Sequence, residues 1–513
     1  MRGPWTMAAA ALVLAAAAAP GAGSASGRAA GGAVAATARP ERATAALRRA
    51  VRVREGAARG DLTVALMRLV RAYPGLGSAG RRRARALLAR PTNHPDPQGN
   101  AWRVPEAGPS PSCSPNFCVH WVARGRDAPR MRDGNGRFDG DGVPDYVENV
   151  VAVAERSFAV ENGALGWREP KSDDRLGGRR GKTDVYLVQL GGSLFGYAAP
   201  DRGQIRPGAR SFKRSLYSYL VVDDDYRRSE FPGTTPIKAL KVTLAHEYNH
   251  VLQFTYDVFQ DVWFAEATAT WAEEQVYDAI NDYRRYVRRW VSRTEIPLTG
   301  GAIKIYGTAV WNLWLERRYG KDLIRRAWTR AQRVKPGGYS VRAYDRVIRR
   351  AGKSTFSRDF ARFSRDLAEW RIGRVFPEGG SYRNVERVGG LTPGGRSRSV
   401  RLDHTTFALL RLPASGRRRV RVRATAPRGI TAALAIVGRR GSERKGRIVS
   451  RLTYRQGGGR MRVGLARPGR FQRLTAVLVN ADVGQNGFSP RIFDWRYTGD
   501  SADFELAATH AHG

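Results

Sequence analysis

One stretch of the sequence combines residue types and spacing that could do chemistry: HEYNHVLQFTYDVFQDVWFAEATATWAEE, from His246 to Glu274. His246 and His250 stand four apart in an apolar run of helical period, so both imidazoles leave one face a turn apart. Two nitrogens so placed can share one Zn²⁺ at about 2.0–2.1 Å. Glu247 lies between them, displaced around the helix. It is placed to act on a water as general base, not as a ligand, which is the HExxH arrangement. Catalytic zinc takes a third protein ligand and leaves a fourth position open. Glu266 is the candidate. The first helix can run to about Thr255. A turn over Asp257 to Asp261 follows, with Asp261 as N-cap, and Glu266 then faces back from the second turn of the next helix. Ala265, Ala267 and Ala269 permit the close approach a shared metal demands, and Trp263 and Trp271 pack the outer contacts. Glu273 and Glu274 are the candidates to hold the ligands from behind.

The charges around this stretch agree. Val242 to Tyr283 contain no Lys or Arg and eight acids, where 88 Lys+Arg in 513 residues would put about seven cations in such a window. A plain buried helix pair would shed charge of both signs. Shedding cations alone suits a site that must hold a dication and keep its carboxylates free. The chain also has only 7 His, so two at this spacing around a Glu are a poor accident.

A second candidate is DGNGRFDGDGVPDYVE, Asp133 to Glu148. Asp133, Asn135, Asp139, Asp141 and Asp145 alternate with Gly and offer hard oxygens for Ca²⁺. Arg137 and Phe138 exclude an EF-hand, and Asp–Gly alternation also makes ordinary turns. Cys113 and Cys118, in CSPNFC, read as a small-loop disulfide of an oxidising compartment. His120, beside them, reads as a partly buried strand residue.

HEYNH followed by WFAEATATW resembles the gluzincin metallopeptidases. In that family a helix with HExxH precedes a second helix whose Glu completes the site in a W-x-x-E-x-x-A pattern, here Trp263, Glu266 and Ala269. LVVDDDYRRSEF…KVTLAHEYNHVLQFTYD and the upstream DGDGVPDYVE are also similar to a group of secreted bacterial metalloprotease-like proteins. The likeness covers about residues 112 to 330. It implies an α+β zinc metallopeptidase domain with Zn²⁺ on His246, His250 and Glu266. Glu247 would take a proton from water and pass it to the leaving amine. It further implies an oxyanion donor from a downstream helix, for which Tyr306, opening IYGTAVWNLWLERRYG, is the candidate. One position departs: thermolysin-like enzymes carry Asp four residues after the ligand Glu, and here Thr270 stands there. The strand Tyr217 to Asp223 is the expected edge on which a peptide adds.

Wider patterning sets these pieces in order. Arg2, the 13 apolar residues Met7 to Ala19 and the small residues to Ser26 form a secretory signal peptide over 1–26, too short to span a bilayer. Residues 27–98 are a basic helical pro-segment or N-terminal subdomain. It contains no Cys, so it cannot set a thiolate on a metal. Helices are expected over Thr44–Arg54, Leu62–Tyr73, Val143–Val160, Ile237–Thr255, Trp263–Tyr283 and Ala309–Tyr319. Strands are expected over Cys118–Ala123, Asp184–Leu190 and Tyr217–Asp223, which together give an α+β metallopeptidase domain over 99–388. Alternating runs separated by Gly, Pro and Arg predict a β-sandwich over 389–513. The net charge of +42 comes with only 10 Lys among 88 cations, is spread along the chain and accompanies no nucleic-acid motif. A soluble, exported, zinc-dependent endopeptidase acting on protein or peptide substrates is therefore expected, with anionic cell-envelope contact through the basic C-terminal domain. The alternative is an extracellular binding or adhesion protein whose metal site is structural or degenerate; an intact Glu247 argues against it, since a structural site has no use for a base.

Overall fold

The computed structural model describes residues 31–91, 102–107, 110–129, 142–174, 181–191, 194–201, 214–301, 304–332, 340–372, 375–442, 446–483 and 501–511, with side chains from residue 40. The expected signal peptide and Asp133, Asn135, Asp139 and Asp141 lie outside these residues.

The N-terminal segment forms three helices, α1 (Gly31–Arg54), α2 (Leu62–Ala72) and α3 (Ser78–Leu87). Asp61 starts α2, accepting the Val64 N–H at 2.8 Å, as a short acceptor side chain at that position does. Leu62 through Val70 are buried without a break. A helix exposed on one face would alternate; this one is covered all round, between α1 and the central sheet.

That sheet holds β1 (Ser112–Cys113), β2 (Phe117–His120), β3 (Thr183–Val188), β4 (Gly196–Pro200) and β5 (Ser218–Asp223) in the order β1-β2-β3-β5-β4. The three inner strands are parallel, while β1 and β4 run antiparallel at the two edges. The disulfide Cys113–Cys118 closes the β1–β2 hairpin. The expectation that Tyr217–Asp223 forms the edge is wrong: this segment is β5, inside the sheet, and the edge is β4. All six residues of β5 are buried, the mark of an inner strand covered on both faces.

Between β2 and β3 runs α4 (Asp145–Phe158), extended by a π-helical turn over Ala159–Ala164. Next come α5 (Pro236–Asp257) and α6 (Val262–Tyr277), which pack on each other, with α5 against β4 and β5. Pro236 opens α5 at a position where its missing N–H costs nothing. The second helix ends at Tyr277, short of the expected Tyr283. Asp261 occupies its N-cap position but makes no side-chain cap; its Oδ2 accepts instead from Ser340 N and Oγ, both at 2.7 Å. Trp263 and Trp271 are wholly buried rather than peripheral. The helices α7 (Arg284–Trp290), α8 (Lys304–Gly307), α9 (Ala309–Tyr319), α10 (Asp322–Ala331), α11 (Ser340–Gly352) and α12 (Phe356–Leu367) complete the body, with α8 and α9 against α6.

The C-terminal part is a two-sheet sandwich, with β6 (Gly389–Gly390), β7 (Arg398–Leu402), β8 (Thr406–Leu412), β9 (Arg419–Ala426), β10 (Ala432–Arg440), β11 (Arg447–Arg455), β12 (Gly459–Leu465), β13 (Arg473–Asn480) and β14 (Ala502–Ala511). The sheets are β11-β10-β13-β8-β6 and β12-β9-β14-β7, and they share one apolar core that includes Leu410, Leu434, Leu478, Val422 and Leu506. α12 packs on β10, β11 and β13. The chain is thus α+β, and among the described residues no helix is long and apolar enough to cross a membrane.

Candidate metal centre

The two helices α5 and α6 bring together the three residues expected to bind metal. His246 Nε2 and His250 Nε2 are 3.1 Å apart, and each is 3.3 Å from a different Glu266 oxygen. A tetrahedral ion with bonds of 2.0–2.1 Å has ligand–ligand edges of about 3.3–3.4 Å. The donor triangle therefore has the size that Zn²⁺ requires.

The hydrogen bonds behind the ligands fix which atoms face inward. His246 Nδ1 lies 2.6 Å from Glu273 Oε1, and His250 Nδ1 lies 2.9 Å from Gln253 Oε1. The Gln253 amide cannot be turned round, because its Nε2 donates to Asn249 Oδ1 at 2.6 Å and to Ala265 O at 3.0 Å. Asn249 Nδ2 in turn donates to Glu161 at 2.7 Å. Both imidazoles thus carry their proton on Nδ1, and both Nε2 lone pairs point at one spot. Glu266 adds two oxygens to that spot; it is fully buried and neither oxygen has a hydrogen-bond partner among the described residues. Three acceptors converging with no donor between them is unfavourable unless a cation joins them. Burial works against charge here, yet the partnership with His250 and His246 brings Glu266 down to about 2, and the carboxylates Glu266 and Glu273 raise His246. The centre demands positive charge, which a proton or a dication can meet.

Glu247 is buried one turn face away, its Oε2 2.8 Å from Thr63 Oγ1. Gly196 on β4 lets the edge strand come close to it: a Cβ there would meet Thr243 Cγ2 at 2.7 Å and Val221 O at 3.0 Å, with Glu247 Cγ at 3.5 Å. Tyr306, on α8, stacks on Tyr286 and has its ring 6.1 Å from that of His246; its hydroxyl donates to Asp61 Oδ2 at 2.9 Å. Asp61, His246 and Glu247 each place a ligand atom within 4.8 Å of the others. Burial, then the nearby Glu266 and Glu247 carboxylates, push Asp61 up to about 7.

Of the two acids considered as support, Glu273 holds His246. Glu274 does not touch a histidine; it groups with Asp278 and Glu378 and is pushed up to about 9 by burial and by Glu273. Thr270, which replaces the family's Asp, has a buried hydroxyl without a partner among the described residues. Sequence reasoning missed Gln253, Asn249, Asp61 and Thr63. The first two carried a signal, being amide residues three after and one before His250 in a stretch of α5 that is buried from Thr243 to Phe254.

Of the calcium candidates, only Asp145 is described; it is buried at the start of α4. A separate trio, Asp223, Asp224 and Asp225, also lies within 4.8 Å. Asp223 accepts from Leu190 N, Tyr226 N and Asp225 N, and Asp225 pairs with Arg227, whereas both Asp224 oxygens are buried without a hydrogen-bond partner among the described residues. His120 is a satisfied core residue between Glu106 at 2.8 Å and Asp184 at 3.0 Å.

No curated protein matches the chain. Residues 233–404, which carry α5, α6 and Tyr306, match a family of unknown function, DUF6055.

Proposed function

We propose that the protein is a secreted zinc peptidase in which His246, His250 and Glu266 hold the metal. The observation that carries this reading is the donor triangle of 3.1–3.3 Å with both histidine protons fixed on the far side. When bound, Zn²⁺ supplies Lewis acidity, which makes a water more acidic and a carbonyl more electrophilic. The protein's residues do the rest. Glu247 accepts the proton as water's oxygen bonds to the scissile carbon, and returns it to the amine as the C–N bond breaks. Tyr306 presents a hydroxyl to the carbonyl oxygen as it gains charge. The outer edge of β4 offers backbone groups on which an extended peptide can lie. Export is supported by the signal-peptide pattern over 1–26 and by the disulfide Cys113–Cys118.

The test is Glu247→Gln in zinc-loaded protein freed of its N-terminal segment. Peptide hydrolysis should fall on the order of 10⁴-fold, the upper end for general-base loss, with zinc content and melting temperature near wild type. A variant keeping more than about a tenth of the rate would remove Glu247 from the mechanism. A wild type with zinc but no hydrolysis would favour the binding-protein alternative.

A further inference from the structure

Three acids in a row close β5 and begin the turn after it: Asp223, Asp224 and Asp225, none more than 3% exposed. Two of them have partners. Asp223 accepts three backbone N–H groups, and Asp225 pairs with Arg227. Asp224 is wholly buried, and neither of its oxygens has a hydrogen-bond partner among the described residues. Arg227 is engaged by Asp225 and Glu230. Asp127, which accepts the Gln189 N–H at 3.0 Å, adds to the negative charge that Asp224 feels.

A buried carboxylate can be neutralised by a proton or by a cation. Burial and the charges of Asp223 and Asp225 push Asp224 up to about 8. A proton would therefore remove the charge at pH 7, but it would create an O–H in need of an acceptor. Neither oxygen has such a partner among the described residues. A cation meets the charge and the oxygen lone pairs together.

The spacing and the donor type suit a large, hard ion. One oxygen of each acid lies within 4.8 Å of the others. Two oxygens on one Ca²⁺, each 2.3–2.6 Å from it, can stand up to about 5 Å apart. The group holds carboxylates and no His or Cys, which favours Ca²⁺ over Zn²⁺. Asp223, Asp224 and Asp225 against Arg227 leave two negative charges, the number a divalent ion balances.

We propose that Asp223, Asp224 and Asp225 bind one Ca²⁺, with Asp224 as the ligand that has no other partner. The inference stands apart from the zinc reading, since none of the three belongs to the donor set of His246, His250 and Glu266. The bound ion fastens a junction of the sheet. Asp223 Oδ2 accepts from Leu190 N, beyond β3, and Asp223 O accepts the hydroxyl of Tyr146, in the first turn of α4, at 2.9 Å. Tyr226 donates its hydroxyl to Phe195 O at 2.7 Å, just before β4. The edge strand therefore starts from this turn.

The test is calcium titration of the full exported chain, stripped of metal, followed by calorimetry. Wild type should bind one Ca²⁺ with Kd on the order of 10⁻⁴ M, the range of extracellular modules. Asp224→Asn keeps the shape and removes the unpaired charge, and its affinity should fall at least about 10-fold. Glu266→Gln, which disables the other centre, should bind Ca²⁺ as wild type does. At a hundredfold excess over Kd, Ca²⁺ should raise the wild-type melting temperature by at least about 3 °C and leave Asp224→Asn within about 1 °C. Hydrogen exchange of wild type, which needs no variant, should slow over residues 195–200 and 218–226 when Ca²⁺ is added. No binding by wild type overturns the inference. So does wild-type affinity in Asp224→Asn, which puts the ion elsewhere, the acidic run 133–145 included. Loss of binding in Glu266→Gln would assign the ion to the histidine centre, and binding with unchanged exchange in both segments would place it away from this turn; either overturns the inference and leaves the zinc reading to its own test.

Discussion

Two clusters of buried acid lie beneath the N-terminal segment, and they are neutralised in opposite ways. At the first, Asp173, Asp184 and Asp201 surround Arg90, all with side chains at most 7% exposed. At the second, Glu247, Glu266 and Asp61 gather with His246 and His250, and no Lys or Arg pairs with them among the described residues. Burying a carboxylate without a partner is costly. The first cluster carries its cation in its own sequence, so it is an anchor. The second has no Lys or Arg paired with it among the described residues, so its positive charge must come from protons on His246 and His250 or from a bound cation. The segment meets both, with Arg90 among the acids and Asp61 beside His246 and Glu247.

The sharpest way to break this contrast is Arg90→Met. It keeps length and bulk but leaves Asp173 and Asp201 without their cation. Removing one partner of a buried ion pair costs about 3–5 kcal/mol. Part of that can be avoided if the segment lifts off, so the loss should appear first there. Hydrogen exchange over α2 should quicken while exchange over α5 stays slow. Uniformly unchanged exchange and an unchanged urea midpoint would show that Arg90 is not the anchor.

A smaller effect is expected at the other cluster. Glu273→Gln keeps an acceptor for His246 Nδ1 but removes the charge that fixes the ring. Losing such support costs about 10–100-fold in metal affinity, and since one oxygen remains the lower end, about 10-fold, is expected. Competition with a zinc chelator measures it. An affinity equal to wild type would mean that packing alone holds His246.

How much of this was legible depends on how far apart the partners stand. His246, Glu247 and His250 lie within one helical turn, and Glu266 follows after a single tight connection, so spacing and residue type sufficed to predict that His246, His250 and Glu266 come together. Tyr306 came from the family likeness, and it stands beside His246 in the structure. Asp61 and Thr63 could not be found that way. Thr63 is 184 residues from Glu247, and nothing local in α2 distinguishes a helix that reaches a distant polar side chain from one that only packs a core. The strand order was equally hidden: β5 was read correctly as a strand, but which strand lies at the edge is decided by β4, five residues with no periodic signal of their own. The sandwich was more open to reading. RVRVRATA of β9 alternates exposed and buried at every step, the period-two pattern of a half-covered sheet. β11, whose residues are half-buried throughout or exposed, shows no such pattern.

The smallest predicted effect concerns a third way to bury an acid, with neither arginine nor metal. Glu161, in the π-helical turn, ends the chain of amides that orients His250, and burial pushes it up to about 8. At pH 7 it therefore carries a proton in the folded state, and it loses that proton on unfolding, where its ordinary value is 4.5. The folded state binds more protons between those two values, so stability falls as pH rises through that window. Below about pH 4.5 both states are protonated and the contribution is whole. Gln has the shape of the protonated acid and cannot ionise, and it still offers an oxygen to Asn249 Nδ2. Glu161→Gln should melt within about 2 °C of wild type at pH 5. It should then gain on wild type steadily as pH approaches 8. Melting curves that stay parallel from pH 5 to 9 would show that Glu161 is already ionised in the fold, and that a cation from the metal centre reaches it after all.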